Sequence, residues 1–221
     1  LAAGSRDPCP AQKNLAEHVA DQAAFLRSQL KPTLAAAQGG QGHVFFVDAA
    51  NFVFGTFLCS LWSFVRLFVR AASGRHRFKV LGAWNAVTRQ LVAVTNMTVV
   101  NTETMCELLQ KIADLNLTEP CTLALDNARY QRNAVVMGLA EQLRITSLFL
   151  PSYSPNLNLI ERLGKFIKRR SLYGRHHPAI ADPRAAIEET IADIPSTHAE
   201  DLATLMTLNF QQFENVSLMA A

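Results

Sequence analysis

The amino-acid sequence predicts an α/β fold in which a mixed β-sheet is flanked by helices on both faces. Three observations carry that expectation. Apolar runs rich in β-branched and aromatic residues follow one another from His43 to about residue 100, as in an antiparallel meander. From Thr102 onward, strand and helix patterns alternate, as parallel crossovers require. Helical periodicity marks both ends of the chain.

In order, a first helix is expected over residues 11–31. Leu15, Val19, Ala23, Phe25, Leu26 and Leu30 recur there at helical spacing, and Pro32 follows as a stop signal. Gly39-Gly40-Gln41-Gly42 is a turn, and His43–Ala49 a dense apolar strand with Asp48 near its end. A second strand is placed within 57–65, and the basic turn Ser73-Gly74-Arg75 leads into a third over 78–84. Residues 90–100 form another strand, followed by a helix over 102–115 with Thr102 as its cap. A strand at 121–126, a short helix near 133–143 and a strand at 145–150 come next. After the loop Pro151–Pro155 a helix begins near Asn156, and two more fit 183–194 and 199–213. No linker rich in Pro, Gly and Ser interrupts the chain, so one domain is expected.

Composition narrows the function classes. With 221 residues, 49% of them hydrophobic and 18% charged, the chain can bury a sizeable core, which excludes intrinsic disorder. The four cysteines (Cys9, Cys59, Cys106, Cys121) form no Cys-x-x-Cys pair, so neither a disulfide scaffold nor a zinc knuckle is expected and a reducing compartment is the default. The uncharged stretch Ala49–Val65 is shorter than the roughly 20 residues of a membrane helix. It also holds Asn51 and Gly55, and two buried strands with a turn near Gly55 account for it. No membrane partner is expected. The N-terminal segment lacks the cationic-then-apolar pattern of a signal peptide, and opening on Leu1 suggests a fragment or a processed chain.

The net charge of +3 hides an asymmetry. Between Asp48 and Glu103 there is no acidic residue, while Arg66, Arg70, Arg75, Arg77, Lys79 and Arg89 lie there. Residues 162–175 add Arg162, Lys165, Lys168, Arg169, Arg170 and Arg175, and the segment 182–214 is acidic apart from Arg184. Basic clusters set apart from an acidic tail are the footprint of a polyanion binder, although solvated helix faces produce the same pattern.

Three acids stand out by position. Asp48 lies in a Phe-Phe-Val-Asp run, Asp126 closes the run Leu-Ala-Leu-Asp, and Glu161 stands one turn into the helix after the Pro-bounded loop. Carboxylates at strand ends offer hard oxygen ligands to Mg²⁺, and a pair of such ions suits in-line phosphoryl displacement. Each acid also has an ordinary explanation. An Asp at a strand end opens turns, and an acid in a first helical turn complements the helix dipole. Spacing alone leaves both open.

The segment Leu150-Pro151-Ser152-Tyr153-Ser154-Pro155-Asn156-Leu157-Asn158-Leu159-Ile160-Glu161, followed by Lys165 and Lys168, resembles a signature of DDE transposases. The group in question is the mariner-like superfamily, in its bacterial insertion-sequence branch. Leu125-Asp126-Asn127-Ala128 is similar to the second block of that group, and Phe46-Val47-Asp48-Ala49-Ala50-Asn51 to its first. The 34 residues between Asp126 and Glu161 match the spacing of that branch.

The resemblance implies an RNase H-like fold, with a helical lead-in over 1–42, a DDE catalytic core over 43–178 and C-terminal helices over 179–221 packed on it. It implies that Asp48, Asp126 and Glu161 hold two Mg²⁺ ions, with Mn²⁺ as substitute. Asn127, Tyr153 and Asn158 are implied as supporting residues. Arg75, Arg77, Lys79, Lys165, Lys168, Arg169 and Arg170 are placed on DNA phosphates. The implied partners are double-stranded DNA, as element ends and a TA-containing target, and a second copy of the chain in a synaptic dimer. The implied location is the nucleoid-containing cytoplasm.

The chain departs from the group's pattern at Asn156 (often Asp), Leu159 (often Pro), Gly164 (commonly Trp) and Gln131 (commonly His). Only about 40 residues precede the first predicted strand, without a basic recognition helix, so end recognition is expected from a separate helix-turn-helix chain or from missing residues. Two rival readings stand beside the transposase: a nuclease of the same fold that only hydrolyses, and an inactive or truncated fragment that binds DNA and regulates. His176-His177 lacks helical metal-ligand spacing and reads as a solvent- or phosphate-facing pair, and Trp62 and Trp84 read as core.

Overall fold

The apolar run that begins at His43 forms the central strand of the sheet, and every other element is placed relative to it. The computed structural model describes residues 15–53, 77–152, 154–172 and 181–212. Strand β1 (His43–Val53) pairs antiparallel with β2 (Arg77–Asn85), which pairs antiparallel with β3 (Leu91–Asn96). On its other side β1 pairs parallel with β4 (Cys121–Leu125), and β4 with β5 (Ile145–Phe149). The order is β3-β2-β1-β4-β5, the mixed sheet that the early meander and the later crossovers predict.

Both faces of β1 are apolar because both are covered. Val44, Phe46 and Phe52 point into one core, shared with Ile160, Leu163 and Ile167 of α5 (Ile160–Ser171). Phe45 and Val47 point into the other, shared with Met105, Leu108, Leu109 and Ile112 of α3 (Thr102–Ala113). Trp84 is buried in the first core, as predicted, and its Nε1 has no hydrogen-bond partner among the described residues.

Several boundaries differ from expectation for identifiable reasons. The N-terminal helix does not stop at Pro32. Helix α1 (Leu15–Phe25) widens into a π turn at Leu26–Leu30, where the Lys31 N–H bonds back to the Leu26 carbonyl, and continues as α2 (Lys31–Gln38). Pro32 thus falls directly after the π turn, in the first turn of α2. The N-cap of α3 is Asn101 rather than Thr102. Its side chain accepts from the Thr104 N–H at 3.1 Å, and Thr104 closes a capping box. β3 ends at Asn96, whose side chain turns the chain by accepting from the Thr98 N–H. Helix α4 (Ala134–Gln142) is capped by Asn133.

Helix α6 (Ala181–Ala192) follows the predicted position closely, but α7 (Ala199–Leu205) is shorter than the helix expected over 199–213. Beyond Leu205 the apolar residues Met206, Leu208 and Phe210 recur with a period of two. That is an extended pattern, and all three pack into the first core. The strand expected within 57–65, the turn at 73–75, Trp62 and His176-His177 lie outside the described residues. No helix among the described residues is long and apolar enough to cross a membrane.

One glycine positions α5. Gly82 of β2 stands opposite Asp48, on the side of the sheet that carries the helix. A Cβ at that position would lie 3.1 Å from Ile160 Cδ1 and 3.4 Å from Leu91 Cδ1. Gly82→Val is therefore expected to lower stability by roughly 1–3 kcal/mol through overpacking. Urea unfolding checks this, with a reduced midpoint at unchanged slope.

Candidate active site

The parallel ladder between β1 and β4 ends at the pair Val47–Leu125, so Asp48 and Asp126 are the next residue on each strand. Asp48 is not at the end of its strand, as the sequence suggests. β1 runs on to Val53 against β2, and only its pairing with β4 stops at Val47. Val47 and Leu125 both face the α3 core, so alternation turns the two aspartates toward α5. Glu161 lies in the first turn of α5, beside the residues that anchor that helix to the sheet. The three carboxylates line one open cavity of about 350 Å³, together with Asn127, Ser152 and Asn158.

Each aspartate is oriented by the backbone. Asp48 Oδ1 accepts from the Ala49 N–H at 2.7 Å, and Asp126 Oδ1 accepts from the Ala128 N–H at 3.3 Å. The second contact is the turn-opening role anticipated for Asp126, and it coexists with the cavity position. Burial pushes the Asp48 carboxyl up from 3.8 to about 6, partly offset by its backbone hydrogen bond; the nearby Asp126 and Glu161 raise it further, and Lys168 opposes them. Burial also raises Glu161, against Lys165, with a further upward push from Asp126. The Tyr130 hydroxyl is raised above the usual phenol range, first by burial and then by Asp126 and Asp48.

Two asparagines brace the site. Asn158 donates from Nδ2 to the Val47 carbonyl at 3.3 Å, and its own carbonyl accepts from the Glu161 N–H at 3.3 Å. It thus links the residue before Asp48 to Glu161. Its Oδ1 is buried without a partner among the described residues. Asn127 donates to the Leu150 carbonyl at 2.6 Å, joining the ends of β4 and β5. Arg132 donates to Asn127 Oδ1 from Nε at 3.0 Å and again from its Nη2, with its guanidinium 4.1 Å from the centre of the Phe149 ring.

The residues predicted to meet DNA are only partly gathered. Lys165 and Arg169 are exposed on α5, and Lys168 lies beside Asp48 with its Nζ 5.8 Å from the Phe52 ring centre. Arg77 and Lys79 stand on β2, paired with Val53 and Asn51 beyond the cavity end of β1. Arg170 is held by an ion pair with Asp201 of α7 and stacks near Phe166. Arg75 and Tyr153 lie outside the described residues. Sequence reasoning missed Arg129 and Arg132, exposed in the loop after Asp126, although both stand within six residues of that acid. It also missed the internal role of Arg162, which bonds to the C-terminal segment. Gln131, where the resembled group commonly has His, is fully buried beside the Tyr130 hydroxyl.

The donor set fits a hard divalent cation. It is made of carboxylate oxygens alone, and burial with the neighbouring acids raises the pKa of Asp48 and Glu161, a penalty that a cation relieves. Among the described residues no three His, Cys, Asp or Glu side chains close on a single point as the ligands of one ion. The acids are spread around the cavity.

A sequence profile described as DDE superfamily endonuclease matches residues 64–182, a span that includes Asp126 and Glu161 and begins after Asp48. Comparison with curated proteins finds no match. Among solved structures, the fold is similar to the Mos1 mariner paired-end complex with Mn, with a TM-score of 0.60 at 12% identity, covering 93% of this chain and 64% of that one. It is also similar to the catalytic domain of Mos1 mariner transposase, with a TM-score of 0.53 at 12% identity and coverage of 91% and 99%. The Mos1 catalytic domain with raltegravir and Mg gives 0.55 at 11% identity, with coverage of 89% and 99%. This chain thus spans about two thirds of the transposase chain in the paired-end complexes. At such identities the likeness is one of fold, and the fold is RNase H-like. The profile takes in more than half of the 221 residues, and the chain belongs to the DDE superfamily endonuclease family.

Proposed function

We propose that this chain is the catalytic domain of an insertion-sequence transposase, cutting DNA at element ends and joining them to a target. The observation that carries the reading is the convergence of Asp48, Asp126 and Glu161, from three separate elements, on one open cavity. In this reading the three carboxylates hold two Mg²⁺ or Mn²⁺ ions. Bound there, such ions lower the pKa of the attacking water or hydroxyl and offset charge on the attacking and leaving oxygens.

The chain's own residues do the rest. Asp48 and Asp126 are aimed by their backbone hydrogen bonds, and Asn158 keeps Glu161 in step with β1. Lys165, Lys168 and Arg169 on α5, with Arg129 and Arg132 in the loop after Asp126, supply the cations for the DNA backbone. Relatives of this fold are captured with paired transposon ends, which supports a synaptic dimer on two DNA ends. A TA target and a nucleoid location complete the proposal.

Plasmid nicking tests it. The chain is expected to nick supercoiled DNA with Mn²⁺ or Mg²⁺, to stop on chelation, and to join a pre-cut end to a second duplex. Asp126→Asn is expected to slow nicking by at least about 100-fold, or roughly 3 kcal/mol, with salt-sensitive DNA binding retained. Equal inactivity of both chains with binding intact would establish the DNA-binding fragment instead, and nicking without joining would establish the nuclease.

The pH dependence follows from Asp48. Its folded pKa of about 6 lies above the ordinary 3.8, so folding favours its protonated form. That contribution is complete below about pH 4 and is lost as pH rises through 6. Metal binding needs the ionised form, so nicking should rise through pH 6 and level off above 7. Asp48→Asn keeps the acceptor for Ala49 and removes the charge. It should raise the metal-free melting temperature at pH 7.5 by about 2–4 °C and abolish the rise that Mn²⁺ gives the unaltered chain, both readable by calorimetry.

A further inference from the structure

Helix α5 carries Glu161 in its first turn, yet no side chain among the described residues caps its N-terminus. The backbone bonds there are Glu161 N–H to the Asn158 carbonyl at 3.3 Å and Arg162 N–H to the Leu159 carbonyl at 3.1 Å. A first turn held this way is free to fray. A second restraint comes from the far end of the chain. After α7 ends at Leu205, the chain from Met206 to Gln211 runs on as neither helix nor strand. Even-numbered Met206, Leu208 and Phe210 turn inward, Phe210 lying 6.0 Å from Phe46 between ring centres. The carbonyls of the odd-numbered residues face α5 and the turn before it. Arg162 donates to the carbonyls of Leu205 at 3.3 Å, Thr207 at 2.9 Å and Asn209 at 2.6 Å. Asn156 donates from Nδ2 to the Gln211 carbonyl at 2.8 Å.

We infer that Arg162 is a positioning residue. By gripping three carbonyls of the Leu205–Asn209 strap it fixes the first turn of α5 and holds Glu161 at the cavity. Charge-assisted hydrogen bonds from one planar guanidinium fix direction as well as distance, which a lysine ammonium cannot reproduce at three separated acceptors. The strap is in turn held by Phe46, two residues before Asp48 on β1, so the same segment touches the elements that carry both acids. The departure from the resembled pattern at Asn156 fits this arrangement. An Asn donates to the Gln211 carbonyl, and an Asp carboxylate would repel it. The inference rests on the proposed function for what Glu161 does, but not for the grip itself.

The test uses the full chain with Arg162→Lys and Asn156→Asp. Asn101→Ala serves as control, removing the cap of α3 on the opposite face of the sheet. Hydrogen exchange at residues 160–163 and 206–211 should quicken in both strap variants and stay unchanged in the control. The Mn²⁺ concentration for half-maximal nicking, and the Tb³⁺ concentration for half-maximal luminescence without DNA, should rise about tenfold in Arg162→Lys. DNA affinity and the rate at saturating Mn²⁺ should hold within about twofold of the unaltered chain, on the same reading of a lost supporting contact. Unchanged exchange at 160–163 overturns the inference, and so does an equal metal shift in Asn101→Ala. If the unaltered chain neither binds Tb³⁺ nor nicks DNA, the functional reading falls, and the exchange data still decide the grip.

Discussion

Three carboxylates brought together at the edge of one parallel ladder repel one another, and much of the described structure serves to keep them there. Left alone, like charges in a partly desolvated cavity separate or take up protons; burial first, and the neighbouring Asp126 and Glu161 after it, push Asp48 that way. The protein resists both by setting each acid on an element that is over-determined elsewhere. β1 is buried on both faces, β4 is sandwiched between β1 and β5, and α5 is anchored by Ile160, Leu163 and Ile167. The three acids are therefore held in place by packing around their elements.

The register explains why two of the acids meet. A parallel pair advances both strands in the same direction, so residues that follow the last ladder step stand side by side. Asp48 and Asp126 do so, and alternation gives them the same face. The third acid needs a helix on that face at the right height, and here Gly82 matters. Its missing side chain lets Ile160 sit against β2 directly opposite Asp48, which brings Glu161 over the strand ends. Gly164 places no comparable demand. A Cβ there would meet Ala50 at an ordinary 4.0 Å, so the helix tolerates the absent aromatic without a close backbone approach.

The parts of the fold that were legible in the sequence are those in which one periodicity serves one environment. The β4–α4–β5 stretch and the apolar face of α5 read correctly because strand and helix periods are unmixed there. Three features were hidden. The helix running through Pro32 depends on a hydrogen-bond register shift that composition does not signal. The extension of β1 past Ala49 depends on pairing with β2, a long-range contact. The end of α7 at Leu205 is written as Met206, Leu208 and Phe210, but the run abuts a real helix and its apolar residues extend the helical pattern on paper. At the site, the three acids that line the cavity stand out in the sequence at the ends of apolar runs and in a first helical turn, positions that leave ordinary turn and cap roles open, and motif resemblance is what singles them out. Arg162, Arg129 and Arg132 were not legible, because a basic residue's partner lies elsewhere in the chain.

That last point changes the meaning of the charge asymmetry. In sequence, the basic run 162–175 and the acidic segment 182–214 look like two separate surfaces, but in the structure they touch. Arg170 pairs with Asp201, Arg162 is spent on backbone carbonyls, and the buried Ser171–Thr190 hydrogen bond at 2.9 Å locks α5 to α6. The acidic helix α7 therefore pairs with one cation of the basic helix, Arg170. The cations that remain exposed on it are Lys165 and Arg169, with Lys168 half-buried beside Asp48. A polyanion drawn to this helix meets Lys165 and Lys168 on the way to the cavity and Arg169 at the far end, while Arg162 and Arg170 are already engaged within the fold.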